Sequence, residues 1–166
     1  MHKPLPANTQ SIAPLPGEGI KSKSLIITTM EAKTIVTFKA AAEKVWQGLT
    51  DPKIVKQYFF GTDIKSDWKV GDPITFSGEW EGHKYQDGGI ILDIDPPRYF
   101  KYTYWSSMSG TEDKLENYNN IIYELSEKDG ITTLTVTQEG AKSRESAEHS
   151  ESNWKSVFEG LKKIIE

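Results

Sequence analysis

The chain has 166 residues, a net charge of −4, 36% hydrophobic and 27% charged residues, and no cysteine. That suits one domain with a full core, and it excludes disulfides, thiolate metal sites and a cysteine nucleophile. Of 20 basic residues only Arg98 and Arg144 are arginine, and the lysines are scattered, so neither nucleic acid nor an anionic membrane surface is an expected partner. Residues 1–24 are rich in Pro, Gly and Ser without a hydrophobic period, and they read as a flexible N-terminal arm. Pro4, Pro6, Pro14 and Pro16 break the stretch a secretory leader would need. No run reaches the roughly 20 apolar residues of a bilayer span. A cytoplasmic location, with no membrane insertion, is the expectation.

Residues 25–166 read as a single domain, with Leu25-Ile26-Ile27 as a possible first edge strand. Thr34 to Lys39 is β-branched and alternating, a strand. Glu43 to Leu49 puts Val45, Trp46 and Leu49 on one helical face. Asp51-Pro52 restarts a helix, with Asp as N-cap and Pro at the first helical position. Its apolar face is Ile54, Val55, Tyr58 and Phe59, and Gly61 ends it. Strands follow at Thr62 to Trp68, Pro73 to Trp80, His83 to Ile94, Tyr99 to Trp105, Asn117 to Ser126 and Ile131 to Gln138. Glu81-Gly82 and Asp129-Gly130 are hairpin turns. Ser106 to Glu116 is a polar loop. The last helix runs from near Ser143 to Glu166, with Trp154, Val157, Phe158, Leu161, Ile164 and Ile165 at helical spacing. Glu151–Lys155 and Glu159–Lys163 read as i,i+4 pairs. The order is strand, two short helices, five or six antiparallel strands and a long helix. That is α+β, with the last helix laid across the open face of a curved sheet.

Five segments in order carry a family resemblance. They are Val45 to Pro52 (VWQGLTDP), Trp68 to Pro73 (WKVGDP), Ile94 to Thr103 (IDPPRYFKYT), Thr133 to Gly140 (TLTVTQEG), and Trp154 with Leu161. Together they resemble the START-like (SRPBCC) superfamily, in the branch named after the activator of the 90-kDa heat-shock protein ATPase. The resemblance covers Glu31 to Glu166. It implies a helix-grip fold with about six or seven strands. It implies function less narrowly, since the superfamily includes ligand carriers, polyketide cyclases and chaperone regulators. Ala40 to Ala42 depart from the family's usual Pro with a Ser or Ala before the first helix.

The candidate site is aromatic. Phe76, Trp80, Phe100, Tyr102, Tyr104, Tyr123, Trp154 and Phe158 would line the space between sheet and helix, with tyrosine hydroxyls as orienting groups. The same residues would also serve as plain core. The expected partner is a small hydrophobic or amphipathic molecule, bound by a monomer or homodimer, with no cofactor and no metal. A chaperone-docking module is the alternative. In that reading Tyr58-Phe59-Phe60 matters, because three successive aromatics cannot all point into the core. A cyclase- or hydrolase-like enzyme is the second alternative, and it would need a buried histidine or carboxylate. His83 sits at a hairpin tip. His149 shares a helix face with Glu145, but a solvated first turn is the simpler reading. Asp93 and Asp95 read as turn caps beside Pro96. No nucleophile–base pair, phosphate-binding glycine loop or ligand cluster stands out, so no catalytic residue is nominated.

Overall fold

The computed structural model describes residues 30–166. The N-terminal arm and the Leu25–Ile27 strand lie outside the described residues. The elements are β1 (Met30–Phe38), α1 (Ala42–Thr50), α2 (Pro52–Tyr58), β2 (Asp63–Ser66), β3 (Pro73–Trp80), β4 (His83–Asp95), β5 (Tyr99–Tyr104), β6 (Asn119–Lys128), β7 (Ile131–Ala141) and α3 (Arg144–Ile165). The sheet has seven strands in the order β1-β7-β6-β5-β4-β3-β2, and every pairing is antiparallel. This is the α+β helix-grip arrangement that the element order predicts.

The curve in the sheet is built into β4. Residues 83–90 pair with β3, and β5 pairs from Ile91 onward. At the changeover the backbones crowd. A Cβ on Gly88 would stand 2.1 Å from the Ile74 carbonyl, and one on Gly89 would stand 2.1 Å from the Thr103 carbonyl. Glycine is required there by space. Both hairpin turns place two residues at positive φ, Glu81 (51°) with Gly82 (81°) and Asp129 (53°) with Gly130 (78°), as a type I′ turn demands.

Helix α3 is capped by Ser143, whose side chain accepts from the Ser146 N–H at 3.1 Å. Its sheet-facing stripe is Ala147, Ser150, Trp154, Val157, Phe158, Leu161 and Ile165. Each large apolar member of that stripe stabilises the fold by roughly 1.5–3 kcal/mol through burial. Ile164 does not belong to the stripe, being 38% exposed. The Glu151 carboxylate does not serve Lys155 as the i,i+4 rule suggests. It accepts instead from the Lys33 backbone N–H at 2.9 Å, tying α3 to edge strand β1. The alanine run before α1 has its own remedy. Ala41 offers no capping side chain, and the Ala42 N–H donates to Glu127 of β6 at 2.8 Å.

Strand ends differ from the sequence reading by a few residues. β2 stops at Ser66 because Trp68 takes φ 59°. β6 begins at Asn119 because Leu115–Asn117 forms a 3₁₀ turn. β7 runs on to Ala141. No helix among the described residues is long and apolar enough to cross a membrane.

Candidate functional site

Period-2 alternation decides which side chains meet α3. On β5 it turns Phe100, Tyr102 and Tyr104 inward, and on β6 it turns Asn119, Ile121, Tyr123 and Leu125 inward. Strand register then sets rows across the sheet. Tyr104 stands opposite Asn119 and Tyr102 opposite Ile121. Ile121 in turn stands opposite Gln138, which stands opposite Ala32.

Seven of the eight predicted site residues come together in this space. Phe76, Phe100, Tyr102, Tyr104, Tyr123, Trp154 and Phe158 are each 4% exposed or less. Trp154 and Phe158 are stacked with centroids 5.6 Å apart, and Tyr123 meets both edge-on at 6.0 and 5.7 Å. Phe76 bridges Tyr102 and Tyr104 at 5.9 and 5.7 Å. Trp80 stands apart. It is half-buried at the end of β3 and packs edge-on against Phe60 at 6.3 Å. Of the 58–60 aromatics, Phe59 is buried, stacked on Phe76 at 5.6 Å. Tyr58 and Phe60 are partly buried against the same core.

The polar groups among these rings are paired in short chains. The Tyr102 and Tyr123 hydroxyls share a hydrogen bond of 2.9 Å. Tyr104 donates to Asp87 Oδ2 at 2.9 Å. Asp87 Oδ1 accepts from both the N–H and the hydroxyl of Ser107, each at 2.9 Å. Asp87 is 3% exposed and is the single buried acidic or basic side chain among the described residues. Three donors rather than a cation therefore hold it. Burial holds Tyr102, Tyr104, Tyr123 and the partly buried Tyr58 neutral to unusually high pH. For Tyr104 the Asp87 carboxylate adds to that effect, and for Tyr102 and Tyr58 the neighbouring Tyr123 does.

Near the first half of α3 the pairing is incomplete. Trp154 donates its indole N–H to Gln138 Oε1 at 2.9 Å, yet Gln138 Nε2 has no partner. The same is true of Asn119 Nδ2 and of the Ser150 hydroxyl. All three residues are 2% exposed or less. Gly140 makes room for Asn119, since a Cβ there would fall 2.3 Å from Asn119 Oδ1.

Sequence reasoning ranked aromatics and passed over Asp87, Asn119, Gln138 and Ser150. The signal was present in the alternation. Asp87 shares parity with Tyr85, Asn119 with Ile121 and Tyr123, and Gln138 with Leu134 and Val136, so each was marked as inward-facing. The remaining candidates are peripheral. His83 and His149 are exposed, Asp95 bonds Arg98 at 2.9 Å within its turn, and Asp93 accepts from the Ile94 N–H. The described residues contain no group of three or more His, Asp or Glu placed to hold a metal ion. Open grooves beside Trp68 and beside Phe60 touch none of the eight predicted residues.

The family described as "Activator of Hsp90 ATPase homolog 1-like protein" matches residues 39–166. No curated protein matches the chain. Among solved structures, the solution structure of ChR145 from Cytophaga hutchinsonii is 36% identical. The match covers 82% of this chain and 93% of that one, with a TM-score of 0.73. The crystal structure of CalU16 from Micromonospora echinospora is 19% identical over 82% and 83% of the two chains, at TM-score 0.63. DynU16, described as a putative protein in the dynemicin biosynthetic locus, is 15% identical over 81% and 46%, at TM-score 0.67. The last two share the fold alone.

Proposed function

The chain belongs to the Activator of Hsp90 ATPase homolog 1-like family, and we propose that it binds a small hydrophobic or amphipathic molecule between its sheet and α3. The observation that carries this reading is the mixture of groups buried there. A core kept only for stability gains nothing from Asp87 and three tyrosine hydroxyls in place of aliphatic carbon, because each polar group must be desolvated and then paired. A ligand site gains orientation from them. Phe76, Phe100, Tyr102, Tyr104, Tyr123, Trp154 and Phe158 would contact the ligand's apolar body, and Trp80 with Phe60 would stand at the rim.

The seating of α3 supports a way in. Its second half is anchored by Val157, Phe158, Leu161 and Ile165. Its start rests on a separate cluster of small residues, Ala32, Ala141 and Ala147. Small contacts hold less tightly, so the first turns of α3 would yield first. We place this binding in the cytoplasm. DynU16 comes from a biosynthetic locus, which fits a fold used on small molecules. Native mass spectrometry of the protein purified from its own cells tests the reading. A retained adduct of a few hundred daltons is expected. A clean apo mass, together with co-purification of a large protein partner, would favour chaperone docking instead.

A further inference from the structure

We infer that the ligand presents a neutral carbonyl oxygen to the first half of α3, where Gln138 Nε2, Asn119 Nδ2 and the Ser150 hydroxyl form a donor-rich subsite. This deepens the binding reading above and rests on it. The argument begins with the orientation of one amide. An indole N–H can only donate. Trp154 therefore fixes the oxygen of Gln138 toward itself, and the end left free is the NH₂ group. Asn119 and Gln138 lie on neighbouring strands and both face inward, which puts them within diagonal reach on one face of the sheet. Ser150 sits one turn before Trp154 on the stripe of α3 that covers this face.

Three unpartnered polar groups in one buried region are costly, since each forfeits its hydration without a replacement bond. Two of them can only donate, and the third can donate. What completes them is an acceptor. A carboxylate would bring a charge with no buried cation to meet it, and Asp87 lies buried on the same face. Burying an unpaired anion is far costlier than burying a carbonyl. A ketone, quinone, ester or lactone oxygen fits the site, and an anionic head group does not. The aromatic rings beside it would take the planar or apolar remainder of the same molecule.

Three probes of equal bulk separate the possibilities: 2-acetylnaphthalene, 2-isopropenylnaphthalene and 2-naphthoate. Affinities would be measured by calorimetry. The side-chain amide signals of Asn119 and Gln138 would be followed by ¹⁵N NMR in the wild-type protein. The ketone should bind at least about tenfold tighter than both others and move both amide signals. Ser150→Ala and Gln138→Glu, the latter keeping an acceptor for Trp154, should each reduce the preference for the ketone. Equal binding of ketone and hydrocarbon, with unmoved amide signals, would overturn the carbonyl subsite while leaving the cavity reading intact. Tightest binding by 2-naphthoate would overturn the neutrality argument. Binding of none of the three would count against the cavity reading itself, and the subsite would fall with it.

Discussion

Tyr104 and Asp87 form a buried hydrogen-bonded pair, hydroxyl to carboxylate at 2.9 Å, on adjacent strands of the sheet. The pair closes the end of the aromatic space where the loop after β5 returns, because Ser107 supplies the other two donors. Tyr104→Phe keeps the ring and removes one of the three donors to a buried charge. It should destabilise the fold by about 1.5–3 kcal/mol. Asp87→Leu should cost less in the Tyr104→Phe background than in the wild type, since the bond from the Tyr104 hydroxyl to Asp87 is then already gone. A double-mutant cycle by urea denaturation measures that coupling. Strict additivity would show the pair to be energetically idle.

The two faces of α3 should respond differently. Phe158 is fully buried between Tyr123 and Trp154, and Phe158→Ala should cost about 3–5 kcal/mol. Ile164 is 38% exposed, and Ile164→Ala should cost under about 1 kcal/mol. Similar losses at both positions would mean that the helix is rotated from the position described.

Buried tyrosines predict the alkaline limb of the stability curve. Tyr58, Tyr102, Tyr104 and Tyr123 have their ionisation pushed above the ordinary value of 10.0, first by burial. A raised acid binds its proton more tightly in the folded state than in the unfolded chain. Below about pH 10 both states keep the proton and stability is unaffected. Above it the unfolded state loses protons first, so stability falls as pH rises toward the folded values. Thermal unfolding from pH 8 to 12 should show a flat region and then a steep decline. Phenolate absorbance from these four tyrosines should develop together with unfolding. Gradual ionisation in the native protein near pH 10 would contradict their burial.

Ser150→Ala removes a buried hydroxyl that has no partner. Its loss relieves a desolvation cost that mutational data put at about 1–3 kcal/mol, set against a small change in packing. The melting temperature should hold or rise. A clear drop would reveal a hydrogen bond that the structure does not contain.

The architecture was readable because its signals are local. Alternation in Pro73–Trp80, the two-residue turns at Glu81-Gly82 and Asp129-Gly130, and the Asp51-Pro52 helix start each act within a few residues. Strand ends were less legible where a residue left its expected conformation for a distant contact. Trp68 abandons the strand to lay its ring 5.5 Å from Phe100, a partner that no local pattern names. Glu151 and Glu127 show the same limit. Helical spacing or strand position described them, but their bonds run to the Lys33 and Ala42 backbones.

The candidate site was half legible. Aromatic bulk at inward strand parity identified Tyr102 and Tyr123, and helical spacing identified Trp154 and Phe158, since large side chains so placed must be buried somewhere. Trp80 had the same parity as Phe76, but it falls at the hairpin end of β3, past the area that α3 covers. Parity cannot register that boundary. Asp87 and Asn119 were missed for the opposite reason, since polar residue types suggest solvent until the fold closes over them.

The most direct test of a ligand between the sheet and α3 is a filtered NOE spectrum of the protein bound to 2-acetylnaphthalene. Cross-peaks from the probe to the rings of Tyr102, Tyr123 and Trp154 are predicted. Cross-peaks confined to Trp68 or Phe60, which line the open grooves, would contradict a ligand held under the helix.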